Sequence, residues 1–164
     1  MRIISGTFKG RRIEPPHSIT ARPTTDFAKE GLFNVLNNLM DFEDISCLDL
    51  FAGTGSISFE LASRGAASVL SIEQSDRHLA FIKKTMNQLG IDNMTPIKAD
   101  VFKFIGSTSQ QFDFIFADPP YELKNIELLP QLVFEGKLLK PDGLFVLEHS
   151  KKNDFSSYPH FLQH

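Results

Sequence analysis

Ser46-Cys47-Leu48-Asp49-Leu50-Phe51-Ala52-Gly53-Thr54-Gly55-Ser56 reads as a buried strand, a glycine turn and the start of a helix. The apolar run is short and bounded, as expected of a strand in a sheet covered on both faces. Gly53 and Gly55 let the backbone pass close beneath a ligand and enter a helix, whose unpaired first amides favour negative charge. That suggests a nucleotide or nucleoside site at the strand end. The glycines alone are a weak signal, because the dinucleotide fingerprint Gly-x-Gly-x-x-Gly meets Ser58 at its third glycine.

Outward from this turn, strand-like runs at residues 68–73, 95–98, 112–117 and 143–148 alternate with helical segments. The helices are expected near 56–64, stopped by Gly65, and near 76–89, with Leu79, Ile82, Met86 and Leu89 on one face and Gly90 as stop. Residues 125–136 are apolar but contain Pro130, which predicts a kinked or short helix. The alternation predicts an α/β fold with a mainly parallel sheet and helices on both faces. Upstream, 2–5 and 8–13 read as a small β-hairpin punctuated by Gly6 and Gly10, and Pro15-Pro16 and Pro23 close it off as an arm. Thr24-Thr25-Asp26 then caps a helix with Leu32, Val35, Leu36 and Leu39 at helical spacing, ending near Met40. The organisation expected is an arm over 1–24 and one domain over 25–164.

The chain has 164 residues, enough for one domain with a sizeable core. Its one cysteine, Cys47, rules out an internal disulfide and reads as a small core residue, which suits a reducing cytosol. No apolar stretch approaches the roughly 20 residues of a membrane span, and the start is too short for a signal peptide, so a cytoplasmic location is expected. The five histidines lack metal-ligand spacing with the cysteine, and no metal is expected. Neither a Gly-x-x-x-x-Gly-Lys-Ser/Thr loop nor a Gly-x-Ser-x-Gly elbow occurs, which sets aside those NTPase and hydrolase chemistries. The net charge of −3 hides an asymmetry: residues 1–29 carry Arg2, Lys9, Arg11, Arg12, Arg22 and Lys29 against Glu14 and Asp26. A basic arm on an acidic body steers toward phosphate, although a solvated hairpin face gives the same count.

An acid stands at each successive strand end. Asp49 precedes the glycine turn; Glu73 is placed to accept from two ribose hydroxyls; Asp100, beside Val101, is placed to accept from an adenine amine or to cap a helix. Asp118-Pro119-Pro120-Tyr121 ends the fourth run. Its two prolines remove two backbone donors and hold the chain extended, leaving carbonyls, a carboxylate and an aromatic face for a planar ring with an exocyclic amine.

Leu48 to Gly55 with Asp118-Pro119-Pro120-Tyr121 resembles the class I S-adenosylmethionine-dependent amino-methyltransferases. Met1-Arg2-Ile3-Ile4-Ser5-Gly6, Lys9-Gly10-Arg11 and Arg22-Pro23-Thr24-Thr25-Asp26 through Lys29-Glu30 and Leu32-Phe33-Asn34 narrow the likeness to the RsmD family, bacterial guanine-N2 methyltransferases of 16S ribosomal RNA, of the guanine-966 type. The resemblance implies a Rossmann-like sheet with a small β-hairpin arm, and S-adenosylmethionine as cofactor. Gly53 and Gly55 would lie under its methionine part with Asp49 bracing the loop and Phe51 beside it. Glu73 would hold the ribose, and Asp100 with Val101 the adenine. Asp118 and the Pro119 carbonyl would accept from the target amine, Pro120 would shape the loop, and Tyr121 would stack on the extruded guanine. Arg2, Lys9, Arg11, Arg12 and Arg22 would contact RNA phosphates. Thr24 and Thr25 either close over the cofactor or cap the helix. The implied partner is 16S ribosomal RNA in an assembling small subunit; the sequence does not fix an oligomeric state, and a monomer is favoured.

The family fold resembles seven strands, the last two a carboxyl-terminal hairpin, whereas five strands are readable here with a sixth at most near Phe161. The expectation is therefore a sheet short of one or both of those strands. A DNA adenine-N6 methyltransferase, which Asp-Pro-Pro-Tyr also suits, lacks support from any inserted target-recognition domain. A non-catalytic RNA-binding assembly factor sits poorly with intact Gly53, Gly55 and Asp118.

Overall fold

Cys47, Leu48 and Asp49 are buried on both sides, and their strand accordingly takes the centre of the sheet. The computed structural model describes residues 1–19 and 24–159. Strands β1 (Ser46–Asp49), β2 (Ser68–Glu73), β3 (Met94–Lys98), β4 (Phe112–Ala117) and β5 (Leu139–Leu147) pair in the order β3-β2-β1-β4-β5. Every neighbouring pair is parallel. The chain moves outward from β1 to β3, then returns across the centre to β4. The strand order thus reverses between β1 and β4, and ligands of open α/β sheets bind at the carboxyl ends beside such a switch point.

Alternation along the strands divides the core into two layers. Cys47, Val69, Phe114 and Phe116 face one layer, where they pack with Phe33, Phe59 and Ile82 of the helices. Leu48, Ile72, Ile115 and Ala117 face the other, against Val101, Ile105, Leu129 and Val133. Burial also silences Cys47, whose thiol is pushed up to about 12 by desolvation first and by the carboxylates of Asp113 and Asp49 second.

Five helices join the strands: α1 (Asp26–Leu36), α2 (Ser56–Ser63), α3 (Asp76–Leu89), α4 (Val101–Ser107) and α5 (Leu128–Glu135). Helix α1 stops earlier than its apolar spacing predicts, and Leu39 stands half exposed in the turn that follows. Helix α4 is seven residues long, too short for its periodicity to be read from sequence, and is launched by Asp100, which caps Lys103 N–H at 3.1 Å. Helix α5 is short, as Pro130 predicts, and the proline is its third residue, where its missing N–H would lack a helical partner anyway. Five strands are present among the described residues, and the sixth expected near Phe161 falls outside them.

The expected amino-terminal hairpin is reduced to one antiparallel bridge between Arg2 and Arg12. Ile13 N–H donates to the Met1 carbonyl at 2.8 Å and Gly10 N–H to the Ile3 carbonyl at 2.8 Å, while Ile3 and Ile13 bury their side chains in the core. The arm is held by a charged clamp that hydropathy does not reveal. Glu60 of α2 is fully buried, and its carboxylate accepts from Ile4 N–H at 2.8 Å, Ser5 N–H at 3.0 Å and Arg64 Nε at 2.9 Å. Lys29 of α1, also fully buried, donates to the Arg2 carbonyl at 2.6 Å and lies 3.6 Å from Glu60. Lys29 is therefore a structural cation, one fewer for the basic face of the arm.

Candidate active site

The carboxyl ends of β1, β2 and β4 and the start of α4 enclose a cavity of about 550 Å³. Asp49, Phe51, Gly53, Glu73, Asp100 and Val101 all line it, and so do Asp118, Pro119, Pro120 and Tyr121 on the β4 side. The strand-end acids are thus brought to one opening. No lysine or arginine is among its described lining residues, whereas Asp49, Glu73, Asp100, Asp118 and Glu122 all are, so the wall favours a cation.

One role differs from the sequence reading. Asp49, expected to brace the glycine loop, turns instead toward α2, where its Oδ2 accepts from Ser58 Oγ at 2.7 Å; Ser58 Oγ also shares a 2.7 Å hydrogen bond with Ser71 Oγ. Burial pushes the Asp49 carboxyl up to about 7, opposed by the Ser58 hydrogen bond and reinforced by the nearby charges of Asp118 and Glu73. The bracing falls to Glu73. Its Oε2 accepts from Gly53 N–H at 2.8 Å, and its Oε1 from Gln74 N–H at 3.0 Å and Ser75 N–H at 3.1 Å.

The two glycines serve different ends. Gly53 has φ +58 and open space where a Cβ would stand, which leaves its backbone bare. Gly55 has φ +86, and a Cβ there would come within 2.8 Å of the Phe59 ring, so helix packing accounts for it. It is also absent from the cavity wall. Of the threonine pair, Thr25 caps α1 by accepting from Ala28 N–H at 3.1 Å, while Thr24 lines the cavity.

In the Asp118-Pro119-Pro120-Tyr121 loop the carbonyls are not all free as the double proline suggests. The Pro120 carbonyl accepts from Leu123 N–H at 3.0 Å and closes a turn. Asp118 and Tyr121 are exposed toward solvent, while Pro119 is buried. Among the substrate candidates, Arg2, Lys9, Arg11 and Arg12 are exposed on the arm; Arg22 lies outside the described residues. The arm reaches the site through Met1, whose sulfur accepts from Thr54 Oγ1 at 3.6 Å.

Three buried polar side-chain atoms lack a hydrogen-bond partner among the described residues: Asp49 Oδ1, Ser56 Oγ and His78 Nδ1. All three belong to residues of this one cavity wall. Buried polar atoms are nearly always paired in native proteins, so orphans gathered at one opening mark where a polar ligand completes the structure. Ser56 and His78 are the site residues that sequence reasoning misses. His78 sits in the first turn of α3 with Nδ1 3.6 Å from Glu73 Oε1, and only its position just after the Glu73 strand end could have drawn notice.

Residues 1–164 match the family described as Conserved hypothetical protein 95. The chain is 32% identical over 148 residues to the ribosomal RNA small subunit methyltransferase D of Buchnera aphidicola subsp. Baizongia pistaciae, covering 90% of this chain and 75% of the relative. To the protein of the same name from Escherichia coli K12 it is 30% identical over 159 residues, covering 97% and 79%. The solved structure of an Escherichia coli protein described as a candidate methyltransferase superposes with a TM-score of 0.83 at 29% identity, covering 94% of this chain and 84% of that one.

Proposed function

Because this chain belongs to the family described as Conserved hypothetical protein 95, the RsmD family, we propose that it transfers a methyl group from S-adenosylmethionine to the exocyclic N2 of a guanine in 16S ribosomal RNA. The observation that carries this reading is the junction of two walls in one cavity: the Asp49, Gly53 and Glu73 wall, and the Asp118-Pro119-Pro120-Tyr121 wall. A donor and a planar amine acceptor placed there meet at the switch between β1 and β4.

The residues fit the donor. S-adenosylmethionine bears a net positive charge and a polar nucleoside, and the described cavity residues offer carboxylates without lysine or arginine, a bare Gly53 backbone and the orphaned Asp49 Oδ1, Ser56 Oγ and His78 Nδ1. When bound, it supplies an electrophilic methyl on a sulfonium. Asp49 and Gly53 would hold the amino-acid end, Glu73 the ribose, and Asp100 with Val101 the adenine.

On the acceptor side, the guanine amine is a weak nucleophile because its lone pair is delocalised into the ring. Asp118 and the Pro119 carbonyl accept from its hydrogens, favour a pyramidal nitrogen and stabilise the positive charge that grows there. Tyr121 packs on the face of the extruded base, since a stacked guanine hides its amine. The exposed cations Arg2, Lys9, Arg11 and Arg12 hold RNA phosphates and set register without reading bases. A small subunit under assembly, a monomeric protein and the cytoplasm fit this substrate.

Incubating the protein and tritiated S-adenosylmethionine with unmodified small subunits, naked 16S ribosomal RNA and DNA tests the proposal. Label is expected in guanine of the RNA. Label only in DNA, or in RNA adenine, overturns it.

A further inference from the structure

Phe27 is 89% exposed, the most exposed large apolar side chain among the described residues, and Tyr121 follows at 71%. The other large apolar side chains on the surface lie between 38% and 48%. Single exposed apolar residues are ordinary, but these two stand apart in exposure. Tyr121 lines the cavity, and Phe27 follows three residues after Thr24, which lines it too.

The surroundings of Phe27 suit a flat anionic polymer. Its neighbour Asp26 accepts from the backbone N–H of Arg2 at 2.9 Å, which pins the Arg2–Arg12 bridge and its two exposed cations beside the start of α1. The side chains of Lys29, Phe33 and Leu36 mark the buried face of α1, and Phe27 points away from it. The next residues on its own face are the exposed Glu30 and then Gly31, which has nothing within 4 Å of where a Cβ would stand. One flank of the ring is therefore open. An exposed ring beside paired cations is the arrangement that binds single-stranded nucleic acid, the ring stacking on a base and the cations holding the backbone.

We propose that Phe27 is a stacking platform for an unpaired RNA base neighbouring the target guanine, so that the substrate is gripped at two aromatic points, Tyr121 on the reacting base and Phe27 on a base beside it. This rests on the reading of the protein as an RNA methyltransferase. Phe27 acts on binding and register, and it takes no part in the transfer itself.

The chain has no tryptophan, which supplies a direct probe. In F27W, titration with naked 16S ribosomal RNA quenches the tryptophan emission and shields it from acrylamide. F27A and F27L raise KM for the RNA roughly 5- to 150-fold, the range of base–aromatic stacking, while F27W and F27Y keep it near wild type. In all four, kcat and the affinity for S-adenosylhomocysteine stay unchanged. Emission of F27W that ignores saturating RNA, or an unaltered KM in both F27A and F27L, overturns the proposal. Absence of label from RNA with the wild-type protein removes the methyltransferase reading instead, and the quenching titration, which needs no turnover, still decides Phe27.

Discussion

The Oε2 atom of Glu73 accepts the N–H of Gly53 at 2.8 Å, so that the end of β2 holds the turn that follows β1. The same carboxylate holds the first residues after its own strand through Gln74 and Ser75 N–H. A ligand resting on Gly53 and a ligand touching Glu73 therefore sense one unit.

Glu73→Ala leaves three backbone donors without their acceptor. Charge-assisted hydrogen bonds of this kind are worth about 1.5 to 3 kcal/mol each before solvent replaces them. We expect a loss of about 2 kcal/mol in urea unfolding together with a fall in affinity for S-adenosylhomocysteine by calorimetry. A variant that weakens the ligand without any change in stability would show that the bracing contributes nothing.

Asp49 gives a pH signature. Its carboxyl is raised in the folded chain from 3.8 to about 7, chiefly by burial, so the folded state binds that proton more tightly than the unfolded state. The associated stability is present below about 3.8 and is lost as pH climbs toward about 7, an effect on the order of 4 kcal/mol. Asp49→Asn keeps the shape and removes the proton. The difference in unfolding free energy between variant and wild type should grow in favour of the variant as pH rises across this window. A flat difference would place the Asp49 carboxyl at an ordinary value.

Asp118 sits at the end of β4 on the surface of the cavity rather than in the core. Asp118→Ala should therefore lower the transfer rate by roughly 100- to 1000-fold, the usual effect of deleting one group that stabilises transition-state charge. Cofactor affinity and melting temperature should hold. Loss of cofactor binding in this variant would make Asp118 a structural residue.

Arg11 and Arg12 are exposed on an arm whose backbone is fixed by Ile3, Ile13 and Glu60. Changing both to Ala should leave the fold intact and weaken RNA binding at low salt. The slope of log affinity against log salt should fall by about 1.5, two phosphate contacts at roughly 0.7 to 0.9 each. An unchanged slope takes these two residues off the RNA.

The central part of the fold was legible because its signals are local. Leu48 to Ser56 carries a strand, a turn and a helix start within a few residues, and the acids Asp49, Glu73, Asp100 and Asp118 converge once the strands are parallel. What escaped is whatever depends on distant partners. Lys29 reads as a surface cation, yet it occupies the buried stripe with Phe33 and Leu36 because Glu60, far away in the chain, waits beneath it. The bracing role passed from Asp49 to Glu73 for the same reason: Ser58 of α2 engages the Asp49 carboxylate, and the Gly53 N–H is left to the acid at the end of the neighbouring strand. Alternation in 2–13 suggests a hairpin, yet it reflects two anchoring isoleucines rather than a continuous ladder.

Cys47, sealed within β1 with its thiol held at about 12, leaves the molecule inert to maleimides under native conditions. Any cysteine introduced on the arm or at the mouth of the cavity would then be the single reactive handle. Fluorophore pairs or spin labels can be attached there without first rebuilding the core, and the approach of arm and cavity to an RNA can be followed on the unaltered native scaffold.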